Sequence, residues 1–288
     1  LHRAAQSENS KTAELLIEKG ASVNALTTDN ETPLHRAAQL ENSKTAELLI
    51  EKGASVNAFT TRNETPLHRA AQRENSKTAE LLIEKGASVN ALTTDNQTPL
   101  QWAVIRGNIK TAELLIEKGA SVNAFTTRNE TPLHWAVIPG NIKTAELLIE
   151  KGASVNSLTT DNQTPLHWAV DRGNIKAAEL LIEKGASVNA LTTDNQTPLH
   201  WAVIRGNIKT AELLIEKGAS VNALTTDNQT PLHWAVDRGN IIAAELLIEK
   251  GASVNVLTTD EESPLHLAFE SGHSETVDLL IEKLTRRS

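Results

Sequence analysis

The 288-residue chain contains no Cys, no Met and no Tyr. The lack of cysteine excludes disulfides and thiolate metal sites, and it suits a reducing compartment. No apolar run approaches the roughly 20 residues that a membrane-spanning helix needs. Basic residues number 28 against 36 acidic ones, and the net charge of −8 argues against a general binder of nucleic acid. We therefore expect a cytoplasmic protein with no membrane span and no nucleic-acid partner.

What the chain does contain is a 33-residue block that recurs without insertions. Thr-Pro-Leu, followed by His in all copies but one, starts at Thr32 and ends as Ser263-Pro264-Leu265-His266. Such a period predicts stacked small units, since none can bury its apolar face alone. It predicts a single repeat domain over residues 1–288, with copies 1–31 (truncated at its start), 32–64, 65–97, 98–130, 131–163, 164–196, 197–229, 230–262 and 263–288.

One copy, 164–196, gives the structure expected of all. Thr and Pro at its start are an N-cap and a first helical residue, and the spacing of apolar residues predicts a short helix over 165–172 that ends at Gly173. Asn174 can cap a second helix that runs to about Lys184. The polar segment that follows has a turn signal at Asp194-Asn195. Each unit is thus two antiparallel helices followed by an extended, hairpin-like loop.

This unit resembles the ankyrin repeat, in its Thr-Pro-Leu-His-x-Ala block, its Leu-Leu-Ile-Glu-Lys-Gly-Ala run and the Val-Asn-Ala that follows. The resemblance implies an all-α solenoid of stacked helix-turn-helix units with projecting β-hairpin loops. It also implies a concave face, built from loop tips and first helices, that binds other proteins. The chain departs from the family pattern at the loop turn, where Asn or Glu261 replaces Gly, at Gln101, and at Glu8, Glu41 and Glu74.

The residue after the motif His changes class along the chain. It is Arg in three copies (Arg3, Arg36, Arg69) and Leu267 in the last, and between them it forms a Trp column of Trp102, Trp135, Trp168, Trp201 and Trp234. A tightly packed core position rarely accepts both Arg and Trp, and helical phase sets Trp168 on a polar side. The column is therefore expected to be partly exposed in a strip about 40 Å long. Packing of each indole between repeats is the alternative.

An Arg column and a loop ladder complete the candidate binding residues. The Arg column comprises Arg106, Arg172, Arg205 and Arg238. Because aromatic residues flanked by Arg are typical of binding hot spots, a partner with apolar and acidic residues would suit this strip. The loop ladder comprises Leu26, Phe59, Leu92, Phe125, Leu158, Leu191, Leu224 and Leu257, which either contact a partner or cover the next loop. Charges at the loop tips, such as Asp194 and Arg62, are interpreted as solvated turns.

The motif His residues do not form a metal site. Successive His side chains would lie about 10 Å apart, too far to share one ion, so we expect them to bond loop backbones between units. No catalytic triad, phosphate-binding loop or zinc motif is present. We expect no catalysis, no metal and no cofactor.

The sequence thus predicts a monomeric, non-catalytic module that binds a protein or peptide of unknown identity. A structural or engineered scaffold without a natural ligand is the alternative. Blocks such as Ile-Arg-Gly-Asn-Ile-Lys-Thr, found from both Ile105 and Ile204, favour internal duplication in a natural protein, for example an effector that acts in a host cytosol. We expect more protein before Leu1, and a C-terminal cap with a polar outer face over 263–288.

Overall fold

A computed structural model describes residues 1–7, 9–40, 42–138 and 142–285. Within these ranges the chain folds into eighteen α-helices and no β-strand. The helices of the first five copies are α1 (His2–Gln6), α2 (Ser10–Glu18), α3 (Pro33–Gln39), α4 (Ser43–Glu51), α5 (Pro66–Gln72), α6 (Ser76–Glu84), α7 (Pro99–Arg106), α8 (Ile109–Glu117), α9 (Pro132–Ala136) and α10 (Ile142–Glu150). Those that follow are α11 (Pro165–Asp171), α12 (Ile175–Glu183), α13 (Pro198–Ile204), α14 (Ile208–Glu216), α15 (Pro231–Asp237), α16 (Ile241–Glu249), α17 (Pro264–Glu270) and α18 (Ser274–Thr285).

The helices belong to two units, each built as two layers. Unit 1 comprises the described residues of 1–136 and 143–154, and unit 2 those of 137–142 and 155–288. In unit 1 the first helices α1, α3, α5, α7 and α9 pack side by side in order, and α2, α4, α6 and α8 form the second layer. In unit 2 the layers are α11, α13, α15 and α17, and α12, α14, α16 and α18. Each unit is therefore an all-helical repeat architecture, as the period predicts.

The helix boundaries follow from the capping residues. Thr164 accepts the N–H of His167 at the start of α11, and Pro165 occupies the first turn. The Asn174 side chain caps α12 by accepting the Ala177 N–H at 3.2 Å. These caps confirm the two helices expected in this copy. Small side chains such as Ala169, which is fully buried, let the first helices approach one another closely.

The loops between copies are hydrogen-bonded turns rather than strands. In the first loop the Thr27 N–H donates to the Glu31 carbonyl at 3.0 Å, and Asn30 sits at the turn with φ 59°. Adjacent loops are joined by one backbone bond, such as Thr61 N–H to Asp29 O at 3.0 Å. Glu261 adopts the same positive φ as the Asn residues, so the last turn keeps its geometry. A single backbone hydrogen bond between adjacent loops is too little pairing to define a β-strand within the described residues.

A bridging asparagine, which sequence reasoning missed, ties successive copies together. Asn24 donates to the Gly53 carbonyl at 3.1 Å and accepts the Ser55 N–H at 2.9 Å. The same pair of bonds recurs from Asn57, Asn90, Asn123, Asn156, Asn189 and Asn222. This side chain therefore fixes the register between neighbouring copies.

The last copy differs from the polar cap expected of it. Phe269 is 75% exposed and Ile281 is 46% exposed. The position of Phe269 corresponds to that of Val236, which is fully buried in the copy before. The described outer side of this copy is therefore partly apolar.

Candidate functional site

The motif histidines connect the first helix of one copy to the loop that follows the same copy, beneath the candidate site. His35 Nδ1 accepts the Thr32 backbone N–H at 3.1 Å, and its Nε2–H donates to the Glu64 carbonyl of the next loop at 3.0 Å. His68, His167 and His200 make the same bridge. The expected bonds from His to loop backbones are thus confirmed.

Burial keeps four of the motif histidines neutral. Desolvation lowers the pKa of His35, His68 and His200 from 6.5 to about 4, although a loop carbonyl at Nε2 opposes the shift. Desolvation lowers the pKa of His233 as well. These four rings therefore contribute no positive charge at neutral pH.

The structure gives the Trp column an intermediate position, with all five side chains half-buried. The Trp201 indole N–H donates to Gln196 Oε1 at 2.8 Å, and the ring meets His167 of the preceding copy edge-on at 5.3 Å. Trp234 is held in the same way by Gln229 and His200. Trp102, Trp201 and Trp234 thus pack on the preceding copy and still present a surface to solvent, so both expectations for the column hold in part.

In the copies with Arg, a charged network replaces the Trp–Gln pair. Arg36 pairs with Glu31, and Arg69 pairs with Glu31 at 2.9 Å and with Glu64 at 2.5 Å. The sequence contains a signal for this pairing: the residue five positions earlier is Glu for both Arg36 and Arg69, and Gln for four of the five Trp residues. The two positions therefore vary together because their side chains touch.

Grooves run beside the column within each unit. In unit 1 a polar groove of about 450 Å³ is lined by Trp102, Arg69, Glu64 and the loop-tip residues Asp29, Arg62 and Asp95. A second, of about 300 Å³, includes Trp102, Ile105 and Trp135. In unit 2 grooves of about 270 and 260 Å³ share Ile204 and Trp234, and Trp201 lines the first. Trp201, Ile204 and Trp234 thus form the apolar side of these two grooves, which polar residues such as Gln196, Arg205 and Asp237 also line, and we call this side the trough.

Ion pairs occupy part of the Arg column. Asp171 receives Arg205, at 2.6 Å, from the following copy and Arg172, at 3.6 Å, from its own. Arg238 lies 3.8 Å from Asp237, and both side chains are largely exposed. Arg106 is exposed in unit 1. Because Asp171 and Asp237 lie beside the arginines of unit 2, this side of the trough is less positive than the Arg column alone indicates.

The loop ladder is exposed but lies apart from the grooves. Its eight side chains are between 45% and 63% exposed. Those side chains line none of the four grooves around the Trp column. The structure therefore brings Trp201, Trp234 and Arg205 together and leaves the loop ladder as a separate apolar row.

The described ranges contain neither a candidate metal site nor a helix that could span a membrane. No group of three or more His, Asp or Glu side chains there is arranged to hold a metal ion. In the same part of the chain every helix is too short or too polar to cross a bilayer.

Helix pairs stacked in two layers, with a fixed 33-residue period, define a helical repeat protein. The family model for ankyrin repeats, which describes three copies per match, fits residues 1–93, 89–159, 156–225 and 221–287. The chain therefore belongs to the ankyrin repeat family. A search of curated protein sequences gives no significant match. Proteins built from ankyrin repeats are generally protein-protein interaction modules.

Proposed function

We propose that this protein is a non-catalytic binding module and that a partner protein or peptide docks in the trough of Trp201, Ile204 and Trp234. The observation that carries the proposal is the pair of half-buried indoles that line a groove on an otherwise constant scaffold. Trp is enriched in binding hot spots because it offers a large apolar surface at low entropic cost. A monomer acting in the cytoplasm is part of the same proposal.

The other proposed contacts extend this surface along the copies. Trp168, Arg172, Arg205 and Arg238 flank the trough in unit 2, and Trp102, Trp135 and Arg106 are the corresponding residues of unit 1. The loop ladder offers a second apolar row, with Phe59, Leu92, Phe125, Leu158, Leu191 and Leu224 as its proposed contacts. Nucleic acid is a poorer candidate partner, since Glu31 and Glu64 pair with the arginines Arg36 and Arg69.

The test replaces the Trp–Gln side-chain pair by the Arg–Glu pair that occurs in early copies of the same chain. Trp201→Arg together with Gln196→Glu recreates the Arg36–Glu31 pair, so the apolar surface is lost while a native-like side-chain contact is kept. Photo-crosslinking from position 204 in the source cell identifies the partner, and calorimetry then measures its affinity. We expect the double variant to bind that partner at least tenfold more weakly, with helix content and thermal midpoint nearly unchanged.

The control and the opposing result come from the same measurement. Gln196→Glu alone keeps Trp201 and should change the affinity by less than threefold. If the double variant binds the crosslinked partner as tightly as the wild type does, the trough is not the binding site. A structural scaffold without a ligand predicts instead that no specific partner is crosslinked and that the double variant affects stability alone.

A further inference from the structure

Nearly all the net charge of the protein comes from unit 2. Residues 137–142 and 155–288 contain 18 acidic and 11 basic residues, a net charge of −7, whereas the rest of the chain has 18 and 17 and a net charge of −1. The two units share almost the same repeat sequence. The difference therefore arises at the few positions that vary between copies.

The loop tips are the clearest of these positions. In unit 1 they alternate in charge as Asp29, Arg62, Asp95 and Arg128, and in unit 2 they are all acidic, as Asp161, Asp194, Asp227 and Asp260. We call the last four the acidic rim. Each is exposed, and among the described residues none of the four carboxylates forms a salt bridge. No Lys or Arg occurs in the loops that carry them, 155–163, 188–196, 221–229 and 254–262.

The rim faces the side of the chain that carries the trough. In unit 1 the tips Asp29, Arg62 and Asp95 line the same groove as Trp102. The loops of unit 2 have the same backbone bond, with Thr226 N–H donating to Asp194 O at 3.1 Å where Thr94 N–H donates to Arg62 O at 3.0 Å. By equivalence with unit 1, the acidic rim lies on the side of unit 2 that carries the Trp residues, next to the trough, although its carboxylates line neither of the two grooves themselves.

The floor and the opposite edge do not cancel this charge. His233 lines the trough, and His200 packs edge-on against Trp234; burial lowers the pKa of both rings, so both are neutral. The indole N–H groups are already donated to Gln196 and Gln229. On the helix side the three arginines of the Arg column face Asp171 and Asp237, which leaves one net positive charge against four negative charges on the rim.

We propose that unit 2 binds an extended, basic peptide segment of a partner protein, with its Lys or Arg side chains on the acidic rim and apolar side chains on Trp201 and Trp234. Packed helices lie about 10 Å apart, and three residues of an extended chain in the polyproline II conformation span about 9 Å and bring the side chain back to the same face. A basic residue at every third position therefore matches successive rim carboxylates. This inference rests on the proposed function and replaces the acidic partner suggested by the Arg column.

Two synthetic peptides test the charge preference with the full chain. Both are fluorescein-labelled 12-mers with the same Leu and Ala residues, one with Lys and the other with Glu at every third position. Fluorescence anisotropy should show the Lys peptide binding at least tenfold more tightly than the Glu peptide in 50 mM salt. Its affinity should fall about tenfold or more in 500 mM salt, because exposed charges are screened.

Matched double variants locate the effect. Asp194→Arg with Asp227→Arg places at the rim the residue that Arg62 and Arg128 already provide in equivalent loops, so the fold should tolerate it. We expect these changes to weaken binding of the Lys peptide at least tenfold. Asp29→Arg with Asp95→Arg alters the net charge by the same amount in unit 1 and should change that affinity less than twofold.

The outcomes separate this inference from the proposed function. Three results would overturn the basic-peptide proposal. The two double Arg variants could weaken binding equally, the two peptides could bind with equal affinity, or the Lys peptide could fail to bind up to about 1 mM. Trp201→Arg with Gln196→Glu should weaken both peptides. If that variant weakens them while the rim variants have no effect, the trough remains the site and the charge preference is wrong. If it weakens neither peptide, the trough itself is not used.

Discussion

At the scale of the residue, the chain contains its own control for the buried histidines. Gln101 stands where the other copies have His, and it reproduces both bonds: its Oε1 accepts the Thr98 N–H at 2.9 Å and its Nε2 donates to the Glu130 carbonyl at 3.0 Å. The motif position therefore requires one acceptor and one donor at a fixed separation. A neutral imidazole satisfies this requirement, and a protonated one does not, because Nδ1 then loses its acceptor.

We predict that acid weakens the fold through these rings. A His whose pKa is about 4 when folded and 6.5 when unfolded stabilises the folded state fully above pH 6.5, and that stability is lost as the pH falls from 6.5 toward 4. The loss at pH 5 is on the order of 2 kcal/mol per histidine. His200→Gln should therefore retain the fold at pH 7 and lose less stability at pH 5 than the wild type, as measured by urea denaturation.

The comparison needs a histidine that lies outside this row of bonds. His266→Gln is the control variant, because this side chain is exposed and lies outside that row. If His200→Gln loses as much stability between pH 7 and pH 5 as the wild type does, the ring is not a source of the acid sensitivity.

At the scale of the element, the turn after the first helix differs between copies. Gly107, Gly173, Gly206 and Gly239 occupy it with φ between 63° and 73°, and Glu74 occupies the same position with φ 61°. A left-handed backbone costs a residue with a Cβ roughly 1 kcal/mol, whereas glycine adopts it readily. Glu74→Gly should therefore raise the free energy of unfolding by about 0.5–1 kcal/mol in urea denaturation. Asn195→Gly is the matched control: Asn tolerates this conformation, so its effect should be smaller, and equal effects would mean that strain at Glu74 is not the cause.

Elements of this kind were predictable because their signals are local. Thr164, Pro165 and Gly173 mark helix ends in the sequence, and α11 and α12 begin and end within one residue of the expected bounds. Contacts between copies were harder to predict. The ion pair from Arg205 to Asp171 and the bridge from Asn189 to Gly218 depend on how far one copy is displaced from the next, and one copy's sequence does not contain that distance. The Trp–Gln contact could have been found from the joint variation of the two positions.

At the scale of the whole molecule, the copies differ in how much apolar surface they bury. The early copies have Ala38 and Ala71 at the core position that holds Val170 and Val203 later in the chain, and all four side chains are fully buried. At the start of the second helix, Ser43 and Ser76 of the early copies likewise occupy the position that holds the half-buried Ile175 and Ile208 in later copies. Each buried methylene contributes about 0.8 kcal/mol, and stability in repeat arrays is roughly the sum of copies and interfaces. The early copies should therefore be less stable by several kcal/mol.

This gradient has a measurable consequence because residues 1–101 contain no Trp. Circular dichroism at 222 nm reports the helices of all copies, whereas Trp emission reports only the later ones. We predict that the dichroism transition in urea begins at least about 0.5 M below the emission transition, since a difference of a few kcal/mol divided by a slope of 1–3 kcal/mol per molar gives a shift of this order. Glu74→Gly should reduce the difference in urea concentration between the two transitions, because it stabilises the early copies alone. Coincident transitions in the wild type would mean that coupling between neighbouring copies outweighs the difference in their cores.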